Sequence, residues 1–376
     1  MRGLCRDDPW RLQPVLFQQG GPVAVASENA PLGRRLPYHR SAGEGPAQPT
    51  PLAAKLAGHG WTLGLGDQGF GDLLLALAHV RALVEANEIM GTPTELCYAG
   101  PRARLLARCR FPFTIEPREN GTVIRGRPIR TRAWSKPVAF IAAPERVPQW
   151  LDVTTNGITH VHSALPMRYY LAVEQHLGLR LPAETAAVLL FLSNVPRADP
   201  FHVVFVTASS LPSRKDFGIA RFVAVGRALT DLSGRAMKFT FITASDLPLI
   251  RRRDIRDLEA DVQGPDAVDC LDVFGSAELV IGNDTGLTHL AALTAREDGS
   301  SPTVVALYSR HSHTKWITGV HYHHAVATRF SQMLAVADAS PSFDNLDQSA
   351  WGQASDITVL VPDAIAEFAG QCVSWW

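Results

Sequence analysis

Cysteine is scarce in this chain: only Cys5, Cys97, Cys109, Cys270 and Cys372 occur among 376 residues, odd in number and with no C-x-x-C pair. That excludes a disulfide framework and a zinc knuckle, and buried reduced thiols are expected instead. Long apolar runs are also missing. No stretch reaches the roughly 18 to 20 residues that a membrane span needs, and the opening MRGLCRDDPWRLQPV has no apolar signal-peptide core, so the chain reads as soluble and cytoplasmic. Lysine is rare, five against 31 arginines. The net charge is zero, yet residues 1–150 hold 19 Lys+Arg against 12 Asp+Glu and residues 151–376 hold 17 against 24. A basic first part suits an anionic acceptor or a membrane surface, although solvated arginines account for it more simply; no nucleic-acid partner is expected.

With 46% hydrophobic residues, the chain is long enough for two domains that each bury a core. Residues 1–58 are rich in Pro, Gly and Arg and predict an irregular extension or short hairpins, around the pieces PVLF and PVAVA. From Gly60 the pattern changes. WTLGLG reads as a strand, a glycine-rich turn follows, and Asp72 opens an amphipathic helix, DLLLALAHVRALVEAN. Strand-like TELCYAG and PVAFIAA and a helix near MRYYLAVEQHLGL complete a first α/β domain over 59–190. FLSNVPRADP suits a linker. A second α/β domain over 191–345 repeats the grammar. HVVFVTA, KFTFITA, ELVIGND and TVVALYS read as strands, alternating with helices in IARFVAVGRALTDL, RRRDIRDLEA, CLDVFGSA and TGLTHLAALTA. Strand and helix in alternation predict parallel sheets covered on both faces. In the segment 346–376, the helix PDAIAEFAGQCV is expected to pack back on the first domain.

Three loops carry the chemistry. In LVIGNDTGLTHLAAL a buried strand ends in a polar cluster that starts a helix. Asp284 can cap that helix, Thr285 and Gly286 can present amides to an anion, and His289 falls on the same face one turn on. A structural reading, with Asp284 as cap and His289 in the core, explains each residue singly but not the set. The loop SSLPSRKDFG follows the domain's first strand, where open α/β sheets bind ligands. There Ser209 and Ser210 can donate to a diphosphate, and Lys215 can supply a positive charge to it. The third loop, GLGDQGFGD over 64–72, formally holds G-x-G-x-x-G, but the acidic residue of a nicotinamide or flavin site does not follow. Its alternative reading gives Gly69 and Gly71 space for an acceptor and makes Asp72 a carboxylate base, with Asp67 a rival for that role. An N-cap is the structural alternative for Asp72.

GDLLLALAHVRAL, the K-D-F loop, LVIGNDTGLTHLAAL and PTVVALYS resemble, in that order, the signatures of glycosyltransferase family 9, the ADP-heptose:lipopolysaccharide heptosyltransferase-like enzymes. The resemblance spans roughly 60–320, and N-D-T-G-x-x-H is its most specific part. It implies the GT-B architecture, two facing Rossmann-like domains with parallel sheets and an inter-domain cleft. It also implies inverting, metal-independent transfer of a sugar from a nucleotide-diphosphate sugar, ADP- or GDP-linked, without a cofactor. Asp72 would be the catalytic base, and Lys215 the lysine that meets the donor phosphates. Asp284, Thr285, Gly286 and His289 would form the donor motif, with Ser209 and Ser210 beside the diphosphate and Asp246 the candidate for the ribose. No D-x-D stands at a convincing strand end, so fixed dipoles and Lys215 would take the place of a divalent cation.

Two departures bear on the substrate. Phe217 follows Lys215-Asp216 where the family commonly has a tryptophan straight after the lysine, and 58 residues precede the usual start of the fold. The acceptor reading is therefore a small natural product or another glycoconjugate, with a lipopolysaccharide-core heptosyltransferase as the alternative. A GT-B-fold sugar-nucleotide epimerase, a non-catalytic binding protein and a dehydrogenase are the other classes. The run RHSHTKWITGVHYHH at 310–324 reads as a mobile loop near the nucleobase or acceptor, with metal binding the lesser alternative.

Overall fold

The computed structural model describes residues 16–18, 21–27, 61–64, 70–91, 94–99, 103–110, 115–118, 123–124, 127–128, 139–142, 149–151, 164–170, 181, 188–209, 215–243, 255–256, 258–337 and 354–375. Its contacts divide the chain into one unit of Gly33–Phe191 and another of Met1–Leu32 with Leu192–Trp376. Among the described residues no helix is long and apolar enough to cross a membrane.

Two short strands come first, β1 (Leu16–Gln18) and β2 (Gly21–Ser27), paired as an antiparallel hairpin. The Gly33–Phe191 unit then holds β3 (Trp61–Gly64), the helix α1 (Phe70–Met90), β4 (Thr94–Ala99), β5 (Ile115–Arg118), β6 (Ala139–Ala142) and β7 (Gln149–Leu151). Its sheet runs β5-β4-β3-β6-β7. Strands β3, β4 and β5 are parallel, while β6 and β7 extend the sheet antiparallel beyond β3. Helix α1 starts two residues before Asp72. It is also less amphipathic than DLLLALAHVRALVEAN suggests, because Leu73, Leu74, Leu75 and Leu77 are all buried in succession. At about 100° per residue these positions span roughly 200° of the helix, so its buried face is wider than a surface stripe, with Asp72 half-buried outside it.

The other unit continues with β8 (Phe201–Val206), α2 (Ile219–Ser233), β9 (Met237–Ile242), β10 (Asp261–Gln263), α3 (Ala267–Ser276), β11 (Leu279–Asn283), α4 (Gly286–Ala292), β12 (Thr303–Tyr308), β13 (His323–Ala327), α5 (Arg329–Ala337) and α6 (Pro362–Cys372). The sheet order is β1-β2-β13-β12-β11-β8-β9-β10. The six strands from β8 to β13 are parallel throughout, and β2 closes the β13 edge antiparallel, with Ala26 opposite Ala325. Numbered within the unit, the parallel strands follow the order 3-2-1-4-5-6 of a doubly wound Rossmann sheet. The Val-, Ile- and Phe-rich runs of β8, β9, β11 and β12 fit burial on both faces. Phe205, fully buried, packs against Phe222 and Phe241 with ring centroids 5.6 and 4.9 Å away.

Helix α2 buries Ile219, Phe222, Val223, Gly226 and Leu229, at helical spacing, and ends on Gly234 at φ 62°. Helix α3 is capped by Asp266, whose carboxylate accepts from the amides of Val268 and Asp269. Of the helix expected in RRRDIRDLEA, only Ile255 and Arg256 are helical among the described residues; a turn follows, with Glu259 at φ 50°. Helix α6 packs on α2 in the same core, where Ile365 and Phe368 join Phe222 and Leu229. Ala366, Ala369 and Gly370, small and buried on one side of α6, allow a close approach.

Gly282 in β11 fixes how α4 meets the sheet. A Cβ there would stand 2.4 Å from Thr288 Oγ1 and 2.7 Å from Val206 Cβ. Gly282→Ala is therefore expected to cost roughly 1 to 3 kcal/mol by overpacking. In the Gly282→Ala/Thr288→Ala double variant, part of that loss should return in a melting experiment, because the second change removes the nearer clash. Strict additivity of the two single losses would reject this account.

Candidate functional site

The strand order reverses between β8 and β11, and ligands of open α/β sheets bind outside the carboxyl ends at such a switch point. The two loops singled out in the sequence leave these two strands and meet there. Asn283 ties them together: its side-chain oxygen accepts from the Phe217 amide at 3.1 Å and its amide nitrogen donates to the Thr207 carbonyl at 3.1 Å. Downstream, Gly218 takes φ 93° and its amide donates to Asp216 at 2.9 Å, so the chain after Lys215 is held before α2 begins. Asn283 is wholly buried, and its role as a clamp was not read from the sequence.

Lys215, Asp284, His289 and His311 converge at this edge. Lys215 Nζ lies 2.9 Å from Asp284 Oδ2 and also donates to the Asp284 carbonyl at 3.0 Å. His311 Nδ1 approaches the same Oδ2 at 2.7 Å; an ionised carboxylate only accepts, so the ring carries its proton on Nδ1. His289 Nε2 stands 3.8 Å from Oδ1. Burial by itself would raise the Asp284 pKa, but Lys215 first, then His311 and His289, hold it well below the usual carboxylate range. Burial pulls His289 down to about 4 against the opposing pull of Asp284, so the ring is neutral at pH 7.

Exposure separates the cluster into two layers. The side chains of Asp284 and His289 are each 4% exposed, against 15% for Lys215 and 22% for His311. Thr285 and Gly286 are half-buried. An incoming group therefore meets Lys215, His311 and the Thr285-Gly286 backbone, with Asp284 and His289 behind them. The N-cap of α4 is Thr285 and not Asp284, and it makes no side-chain cap bond. Asp284 is drawn off instead by Lys215 and His311, an ion pair and a charged hydrogen bond that outweigh one bond to an amide. Thr288 fastens the turn from inside, its hydroxyl donating to the Asn283 carbonyl at 2.6 Å.

The histidine-rich run is not the mobile loop expected. Ser312, His313, Thr314 and Lys315 are buried. The Trp316 amide donates to the Ser312 carbonyl at 3.0 Å, Ser331 Oγ donates to the His311 carbonyl at 2.6 Å, and Tyr308 OH donates to the Trp316 carbonyl at 3.1 Å. Among the described residues no group of three or more His, Cys, Asp or Glu is arranged to hold a metal. His311 was missed as a site residue. The signal was available: the apolar run TVVALYS ends two residues before it, at the same sheet edge.

Of the remaining sequence candidates, Ser209 is half-buried just beyond β8, and Ser210 and Asp246 lie outside the described residues. In the Gly33–Phe191 unit, Gly71 and Asp72 are half-buried in the first turn of α1, and Gly69 and Asp67 lie outside the described residues. Asp72 is thus inside the helix rather than its cap. Burial and then the Asp72 carboxylate push the phenol of buried Tyr169 upward, which places that phenol in the field of Asp72.

No protein-family model matches the chain, and no curated protein sequence matches it. In fold, the chain is similar to heptosyltransferases of known structure. These include E. coli heptosyltransferase WaaC with ADP, at 14% identity over 83% of this chain and 99% of that one, TM-score 0.49. E. coli ADP-heptose lps heptosyltransferase II is similar at 11% identity over 79% and 98%, TM-score 0.40. The iron-containing dodecameric glycosyltransferase TibC of enterotoxigenic E. coli is similar at 14% identity over 84% and 76%, TM-score 0.49.

Proposed function

We propose that this chain is a glycosyltransferase that moves a sugar from a nucleotide-diphosphate sugar to an acceptor hydroxyl, with inversion and without a metal. The observation that carries the reading is the Lys215–Asp284 pair at the switch point of a Rossmann sheet, with the ammonium on the accessible side. A departing nucleoside diphosphate needs positive charge that is already in place, because reorganising it during the reaction would add to the barrier. Asp284 fixes the ammonium and lies behind it, His289 backs Asp284, and the Thr285-Gly286 backbone with Ser209 and Ser210 completes the diphosphate contacts. Asp246 is assigned to the ribose. Asp72 is the base that takes the acceptor proton as the hydroxyl attacks the anomeric carbon. The acceptor is a small natural product or a glycoconjugate, and the donor base is adenine or guanine.

Screening ADP- and GDP-sugars by thermal shift should single out one donor, since a ligand that binds only the folded state raises its melting temperature. With that donor, Lys215→Ala should lower the transfer rate at least about tenfold. An unchanged rate would remove Lys215 from the mechanism. Transfer should persist in a chelator, and the new glycosidic bond should have the opposite anomeric configuration to the donor. Conversion of the donor without any acceptor would mark an epimerase instead.

A further inference from the structure

We propose that His311 is a positioning residue that keeps the Lys215 ammonium available to the donor diphosphate, an inference that rests on the transferase reading above. Asp284 Oδ2 accepts from Lys215 at 2.9 Å and from His311 at 2.7 Å, while Oδ1 faces the neutral His289 ring at 3.8 Å. One oxygen of a nearly sealed carboxylate thus serves both accessible side chains. An ammonium has three N–H groups. Lys215 directs one to Asp284 Oδ2 and one to the Asp284 carbonyl, and among the described residues no partner takes the third, which is the one offered to a ligand. Without His311, Lys215 is the one close side-chain donor to that carboxylate among the described residues, and the buried negative charge draws the ammonium inward. With it, the second hydrogen bond meets part of that demand.

The placement of His311 is built in advance. Its ring stacks on Trp316 with centroids 5.2 Å apart and planes 30° off parallel. Its carbonyl is anchored by Ser331 and the chain after it turns back through the Ser312–Trp316 backbone bond. It stands 27 residues beyond Asp284, after β12, and so outside the N-D-T-G-x-x-H segment.

The test measures ADP and, in parallel, GDP binding by calorimetry, together with kcat and donor KM, in wild type, His311→Ala and His311→Asn. The alanine variant should bind the preferred nucleotide at least about tenfold more weakly and lose kcat, as expected for one hydrogen bond to a charged group. The asparagine variant, whose Nδ2–H stands in for Nδ1–H, should recover to within about threefold of wild type. If His311→Ala does not fold, His311→Leu keeps apolar packing on Trp316 without the donor and is read the same way. Wild-type affinity in the variant that lacks the donor overturns the proposal. So does an asparagine variant as weak as alanine, which would place the effect in the ring stack. Should wild type bind neither nucleotide, the transferase reading falls and this inference with it.

Discussion

Acidification from about pH 6.5 to pH 4 is expected to lower the folding stability steeply, with the fall beginning above the range in which ordinary carboxylates protonate. His202, His289, His313 and His324 are each lowered to about 4, in every case first by burial. His323 is lowered further still, again by burial and then by its histidine neighbours. A histidine whose folded pKa lies below its unfolded value contributes fully above the unfolded pKa of about 6.5. As the pH falls, the unfolded chain takes up protons that the folded one refuses, and the loss is complete only once the folded pKa of about 4 is passed. Each such group adds to the slope of stability against pH in that window, so together they steepen the loss on acidification. Asp284 acts lower on the scale: its folded pKa is depressed, so its contribution holds above about pH 4 and is lost only below it. Denaturant midpoints measured at half-unit steps of pH should fall steeply across this range. A flat profile would mean that these rings are hydrated or protonated in the folded state.

The alternation of strands and helices was legible because each strand is a short Val-, Ile- or Phe-rich run and each helix has its own start and stop. HVVFVTA and TVVALYS appear as β8 and β12 almost to the residue. Strand order was not legible, since nothing local in HVVFVTA specifies that ELVIGND pairs on one side and KFTFITA on the other. The pairing of β2 with β13 is of the same kind, a contact across some 300 residues of chain. Helix α6 carries an apolar face, and an apolar face alone does not name its partner.

The site divides along similar lines. Lys215 and the Asp284–His289 segment could be found because each directly follows a strand, where a sheet of this kind exposes its loops. Their mutual contact could not, and the sequence assigned Asp284 to its nearest orphan amides instead of to a lysine 69 residues earlier. Local hydrogen bonding is the default for an aspartate before a helix, but an ion pair in a dry setting outweighs it. His311 was hidden by its own neighbourhood: a run of histidines invites a metal reading, whereas burial and backbone ties in fact leave His311 as the ring that reaches Asp284.

Asp72→Asn is expected to lower kcat about 10²- to 10⁴-fold, the range for losing a general base, while leaving nucleotide affinity unchanged. The substitution keeps shape and hydrogen-bonding reach and removes the ability to hold a proton at the carboxyl. A purely structural Asp72 predicts something different. In the first turn of α1 the carboxylate also interacts with the helix start, which is worth about 0.3 to 1 kcal/mol. A structural role would therefore show as a small drop in melting temperature with the rate preserved. The pH profile separates the two further, because loss of the base should abolish the acidic limb of the kcat curve while the fall in stability set by the buried histidines persists. Running Asp67→Asn beside it decides between the two carboxylates of the same glycine-rich segment. If Asp72→Asn turns over within about threefold of wild type and Asp67→Asn does not, the base belongs to Asp67, and the half-buried position of Asp72 serves the Tyr169 side of its own unit instead.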